Sequence, residues 1–125
     1  GILRGLHFQI RHPQGKLVRV TDGEVFDVVV DLRRSSPCFG QHTCTRLSSG
    51  NHHQLWIPPG FAHGFLVLSE TAEFLYKTTD YWYPEHERTL LWSDPELSID
   101  WPAENPQLSP KDLQGTILKG CEVFD

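Results

Sequence analysis

The 125-residue chain fits one domain and can bury only a modest core. Its formal charge of -5 leaves no basic stripe for a nucleic acid, and no apolar run approaches the ~20 residues that cross a bilayer. The first residues lack a signal-peptide pattern, and the three cysteines (Cys38, Cys44, Cys121), none in a C-x-x-C, read as incidental thiols of a reducing cytosol.

The amino end, Gly1-Ile-Leu-Arg-Gly-Leu-His-Phe-Gln-Ile10, is too apolar for a loop and too short for a comfortable helix, so it reads as a buried strand carrying Arg4 and His7. It starts inside that strand with no methionine, and the expectation is that an amino-terminal segment is missing. Gly15 to Val20 alternates polar and apolar, and Thr21-Asp-Gly23 is a turn signal. Glu24 to Leu32 is the clearest strand: Phe26, Val28, Val30 and Leu32 share one face, and Val25, Asp27, Val29 and Asp31 the other. Ser35-Ser-Pro37 breaks it. A strand from about Gly40 to Leu47 and the turn Ser48-Ser-Gly-Asn51 come next. Gln54 to Pro58, Gly64 to Ser69 and Ala72 to Thr79 are three more short strands. Short strands between regular turns predict an all-β sandwich or barrel. Helix is predicted only near the carboxyl end, where Ser109-Pro-Lys-Asp112 has a cap residue, a first-turn proline and an acid. With no repeat or linker, residues 1–125 read as a single domain whose tail beyond Trp101 packs back on the strands.

Burying a titratable side chain costs several kcal/mol unless it is paired or used. His7 and His63, the latter beside Pro58-Pro-Gly60 and Gly64, therefore raise the prospect of proton chemistry or a metal, against the plain alternative of satisfied core histidines. Asp27, mid-strand among valines, is either half exposed or paired, and a histidine N–H is the obvious partner. Lys16 and Tyr76 are weaker signals, since such residues usually snorkel or line a rim. Tyr81-Trp-Tyr83 suggests a stacking platform for a flat ring, or packing across a sheet edge. Asp112 reads locally as a helix-capping acid. A metal site is poorly supported: the residue two after His7 is Gln9, the vicinal pair His52-His53 cannot easily reach one ion, and His12, His42 and His86 lie in polar surroundings.

Several runs, in order along the chain, carry a resemblance. They are Leu3-Arg-Gly-Leu-His-Phe-Gln9, Gln14-Gly-Lys-Leu-Val-Arg19, Gly23-Glu-Val-Phe-Asp-Val28 and Ser36-Pro-x-Phe-Gly40. Gln54-Leu-Trp-Ile-Pro58, Gly60-Phe-Ala-His-Gly-Phe65, Glu73-Phe-Leu-Tyr-Lys77, Leu91-Trp-x-Asp-Pro95 and Leu108-Ser-Pro-Lys-Asp112 complete the set. Together they resemble the dTDP-4-dehydrorhamnose 3,5-epimerase family. The resemblance implies a jelly-roll, cupin-like fold, a cytoplasmic homodimer, no metal or other cofactor, and a dTDP-ketosugar substrate. The reaction it implies removes and returns protons at C3 and C5, both next to the C4 ketone.

Carried over by resemblance, His7 is the base, oriented by Asp112, which overturns the local reading of that aspartate. Lys16 stands near the O4 enolate, and His63 with Asp27 helps polarise it. Tyr76 is the far-face acid, a phenol being neutral at pH 7 yet able to protonate an enolate. Arg4, Glu87, Lys111 and Gln9 contact the nucleotide-sugar, and Tyr81 and Trp82 lie near its base or sugar. The family's segment ahead of the Leu-Arg-Gly-Leu-His run, which supplies further nucleotide contacts partly across the dimer interface, is absent from this sequence. Weaker nucleotide binding and unpaired sheet edges are the expectation. The alternatives are a single-centre 3- or 5-epimerase of secondary metabolism, a non-catalytic sugar-nucleotide-binding cupin and a metal-holding cupin.

Overall fold

The computed structural model describes residues 1–125 as eight strands in two antiparallel sheets, closed by a short helix and tail. The strands are β1 (Leu3–Gln9), β2 (Lys16–Asp22), β3 (Glu24–Asp31), β4 (His42–Ser48), β5 (Gln54–Ile57), β6 (Phe61–Val67), β7 (Glu73–Thr78) and β8 (Glu87–Thr89). The larger sheet has the order β4-β3-β6-β1-β8, and the smaller β5-β2-β7. The predicted all-β sandwich is therefore present, with its one α-helix, α1 (Pro110–Leu113), where the Ser-Pro signal placed it. No helix is long and apolar enough to cross a membrane.

The two faces of β3 go to two cores, as its alternation predicts. Val28, Val30 and Leu32 join Leu3, Leu6 and Leu66 on the outer side of the large sheet, together with Leu97 and Trp101 from the segment after the last strand. Val25 joins Val18, Val20, Leu47 and Ile57 between the sheets. The chain turns at Thr21-Asp-Gly23 as expected, but between β2 and β3 of different sheets; Gly23, at φ 82, redirects it from one layer to the other. Two expectations shift. β6 begins at Phe61 rather than Gly64, which puts His63 inside a strand. β8 was not predicted: its three half-buried residues, Glu-Arg-Thr, carry no apolar period and are held as a strand by pairing to β1.

One irregularity decides what β1 can present. Arg4 pairs with Phe65 and His7 with His63, so three steps on β1 oppose two on β6. The extra residue is a β-bulge. Regular alternation would send residues three apart to opposite faces; the bulge turns Arg4 and His7 to the same side. It exists because two glycines meet there. A Cβ on Gly64 would lie 2.7 Å from the Arg4 carbonyl oxygen, and one on Gly5 2.7 Å from the Gly64 Cα. Gly64→Ala therefore separates β1 from β6, and should cost about 1–3 kcal/mol, as overpacking does. Urea denaturation should show the lower midpoint; an unchanged midpoint would contradict the close approach.

Candidate active site

A cleft of about 880 Å³ opens between the two sheets. The large sheet lines it with Arg4 and His7 from β1, His63 and Phe65 from β6, and Glu87 from β8. The small sheet contributes Lys16 from β2, and Phe74, Tyr76 and Thr78 from alternate positions of β7. Tyr81 and Trp82, 80% and 63% exposed, form a wall from the loop that follows β7.

Two histidines of the large sheet are each paired with a carboxylate, His7 with Asp112 of α1 and His63 with Asp27 of β3. His7 Nε2 lies 2.6 Å from Asp112 Oδ1, and the other carboxylate oxygen accepts the Gly5 N–H at 3.1 Å. A carboxylate accepts, so Nε2 carries the ring proton and Nδ1 is the nitrogen free to take another. Burial lowers the His7 pKa below the ordinary histidine value, and the hydrogen bond and charge of Asp112 partly oppose that shift. Burial thus favours the neutral ring, while a proton gained at Nδ1 would be met from behind by the Asp112 carboxylate.

Asp112 corrects the local expectation of a capping acid. Its backbone N–H donates to the Ser109 hydroxyl at 3.3 Å, so serine caps the helix and the carboxylate is free for β1.

In the second pair, His63 Nε2 lies 2.7 Å from Asp27 Oδ2. The ring packs beside Phe74, with centroids 5.9 Å apart, and Phe74 stacks on Phe65 at 4.4 Å. Asp27 is fully buried, and its Oδ1 has no hydrogen-bond partner. Burial raises its pKa, opposed by His63 and by the charge of Lys16. Burial lowers the Lys16 pKa, opposed by Glu87 and Asp27. An ammonium with no carboxylate in contact, in a partly dry cleft, is poised to meet a developing oxyanion. The exposed Arg4 likewise makes no ion pair and faces the opening.

Eight of the twelve residues singled out in the sequence line this cleft: Arg4, His7, Lys16, His63, Tyr76, Tyr81, Trp82 and Glu87. Asp27 and Asp112 stand directly behind the two histidines. Lys111 is off the wall, its ammonium 2.9 Å from Glu87 Oε2. Gln9 does not line the cleft. It is buried, and its amide is engaged by the backbone of His12, Tyr81 and Tyr83 rather than presented to the cleft. Sequence reasoning missed Phe65, Phe74, Gln14 and Thr78. Period-two spacing from His63 and Tyr76 would have found Phe65, Phe74 and Thr78. No three histidine, cysteine or acidic side chains converge, and His12 instead stacks on Tyr83 at 4.3 Å.

Known proteins match this arrangement over nearly the whole chain. The family model described as dTDP-4-dehydrorhamnose 3,5-epimerase matches residues 1–120. A Pseudomonas aeruginosa protein of that name is 66% identical over 125 residues, which cover 99% of this chain and 69% of the relative. A crystal structure of dTDP-6-deoxy-D-glucose-3,5-epimerase from Legionella pneumophila, in complex with dTDP-4-keto-L-rhamnose, is 55% identical with a TM-score of 0.95. That match covers 98% of this chain and 65% of the solved one. A 3'-monoepimerase from Streptomyces bikiniensis, solved with dTDP-quinovose, shares the fold at TM-score 0.90 but is 31% identical, over 95% of this chain and 61% of its own. The chain spans roughly two thirds of the length of these relatives. A jelly-roll sandwich whose cleft holds two histidine–carboxylate pairs and a tyrosine, matched over residues 1–120 by one family's pattern, places this chain in the dTDP-4-dehydrorhamnose 3,5-epimerase family.

Proposed function

We propose that this cleft epimerises dTDP-4-dehydro-6-deoxy-D-glucose at C3 and C5 to give dTDP-4-dehydro-L-rhamnose. The observation that carries the reading is the pairing of a carboxylate-backed base on one sheet with a phenol on the other, across one cleft. His7 Nδ1 takes the proton from the carbon next to the C4 ketone. The electron pair moves onto O4, giving an enolate. Lys16 meets that charge, and His63 positions the oxygen, held by Asp27. Tyr76 donates to the opposite face of the carbon, and the configuration is inverted. The phenolate regains its proton from solvent and the imidazolium releases one to it, so the step balances at each centre. One base serves both carbons, because both flank the same ketone.

Arg4 supplies a charge-assisted bond to the diphosphate, while Tyr81 and Trp82 offer flat faces to the base or sugar. Glu87 contacts the nucleotide-sugar at the rim, and Lys111 acts there through its ion pair with Glu87. The reading includes residues 1–125 working as one domain, a homodimer and a cytoplasmic setting, the last supported by three unpaired thiols. Inversion at both centres is supported over the single-centre alternative by identity: 66% to the 3,5-epimerase against 31% to the monoepimerase.

Proton NMR of the ketosugar incubated with this chain in deuterated buffer tests the reading. Deuterium at both C3 and C5, with a rhamno-configured product trapped by reduction, is the expected result. Label at one carbon would establish the single-centre reaction instead, and no label from the folded chain would overturn the reading. Tyr76→Phe separates the two half-reactions. Inversion should slow by about 10²-fold or more, as loss of a general acid does, while some proton wash-out persists. Equal loss of exchange and inversion would remove Tyr76 from the acid role.

A further inference from the structure

We propose that Gln9 is a positioning residue for the sugar nucleotide, acting through Tyr81 and Trp82 rather than by touching the ligand. The inference rests on the cleft being a sugar-nucleotide site. Gln9 stands two residues after His7 on β1 and turns to the same side, yet its side chain is buried. Its Nε2 donates to the Tyr81 carbonyl oxygen at 3.0 Å, and its Oε1 accepts the Tyr83 N–H at 2.9 Å. Those two groups flank Trp82. In a parallel ladder, one residue's N–H and C=O bond the residues on either side of its partner. The Gln9 amide reproduces that pattern, a side-chain peptide group paired to a loop that has no strand neighbour.

The second Nε2 hydrogen goes to the His12 carbonyl oxygen at 2.5 Å, so the same amide also holds the loop after β1. The His12 ring stacks on Tyr83, and Gln14 Nε2 donates to the Asp80 carbonyl oxygen at 2.9 Å. Gln9 is the buried member of this lacing. Its three bonds satisfy both donors and one lone pair of the amide, leaving no N–H to offer a ligand. Tyr81 and Trp82 themselves are largely exposed. Their placement is therefore set by the backbone on either side of Trp82. Through Gln9 that backbone is referred to β1, the strand that carries the base.

The test uses Gln9→Met, similar in length but without an amide, together with Trp82→Ala and the double variant. Kinetic constants come from deuterium incorporation, and affinity from titration calorimetry with dTDP. Gln9→Met should raise KM and the dTDP dissociation constant by about tenfold, with kcat reduced less than about threefold, because displacing a binding wall costs affinity before chemistry. If Gln9 acts through the wall, the double variant binds no more than about twofold worse than Trp82→Ala alone. Unchanged binding in Gln9→Met, or fully additive losses, would overturn the proposal.

Gln9→Glu supplies a second route if the methionine variant does not fold. Its carboxylate still accepts from Tyr83 but opposes two carbonyl oxygens. Binding relative to the parent chain at the same pH should be poor at about pH 8 and recover towards about pH 5, as a protonated carboxyl regains a donor. A pH-independent deficit, or none, would contradict the bridging role. A parent chain that neither binds dTDP nor exchanges protons overturns the reading of the cleft itself, whereas a competent parent with an indifferent Gln9→Met removes only the role of Gln9.

Discussion

His7→Asn should stop deuterium incorporation at C3 and C5 together. The side chain is close in size, and its amide N–H can still donate to Asp112, so the fold and the cleft persist. What is lost is the ring nitrogen proposed to take the substrate proton. A general base is worth about 10²–10⁴ in rate, and the remaining groups offer no substitute. Lys16 carries a charge to stabilise, not a lone pair to use, and His63 is more deeply buried than His7, its ring packed beside Phe74. The fall should therefore be at least about 10³-fold at each carbon, with dTDP affinity within about threefold of the parent. Loss at only one carbon would mean that a second base serves the other, and His63 would be the group to test. The pH profile of the parent adds an independent check. A base must be neutral to act, so activity falls as pH drops through the His7 pKa. Because burial lowers that pKa, the acid limb lies below the ordinary histidine value of 6.5.

How far this site could be read from the chain depends on how local each cause is. The two faces of β3 were legible because period two needs only neighbouring residues, and Asp27 stood out against its valines. His63 was legible as unusual, though its strand was drawn three residues short by the pull of the nearby glycine. The joint orientation of Arg4 and His7 was not legible, since odd spacing denies it. The bulge that permits it depends on Gly64 across the sheet. Asp112 shows the same limit more sharply. Its local signal is that of a first-turn acid, while its partner lies 105 residues away, and only the family resemblance connected them. Gln9 failed in the opposite direction. Its spacing from His7 implies the cleft face, correctly, but alternation says nothing about a loop folding over that position. β8 has no internal signal at all, because three mixed residues become a strand only where β1 offers an edge.

Asp112→Asn should be nearly as damaging as loss of the base, although the replaced group never meets the sugar. The asparagine carbonyl can keep the Gly5 N–H, which leaves its amide pointing at His7 Nε2. An amide donates where the carboxylate accepted, so Nε2 must become the acceptor and the ring proton moves to Nδ1. That is the nitrogen needed for the substrate. The wrong tautomer and an unsupported imidazolium act in the same direction, and a carboxylate behind a catalytic histidine is worth about 10⁴ in turnover. Exchange at C3 and C5 should fall together by that factor, and dTDP should still bind. Removing Asp112 also takes away both of its contributions that hold the His7 pKa up, so burial is less opposed and the pKa falls further. The acid limb of the residual activity must then shift to lower pH than in the parent. A limb that stayed in place, or moved upward, would show that Asp112 neither bonds nor charges the base, and its contact with Gly5 would be left as a purely structural one.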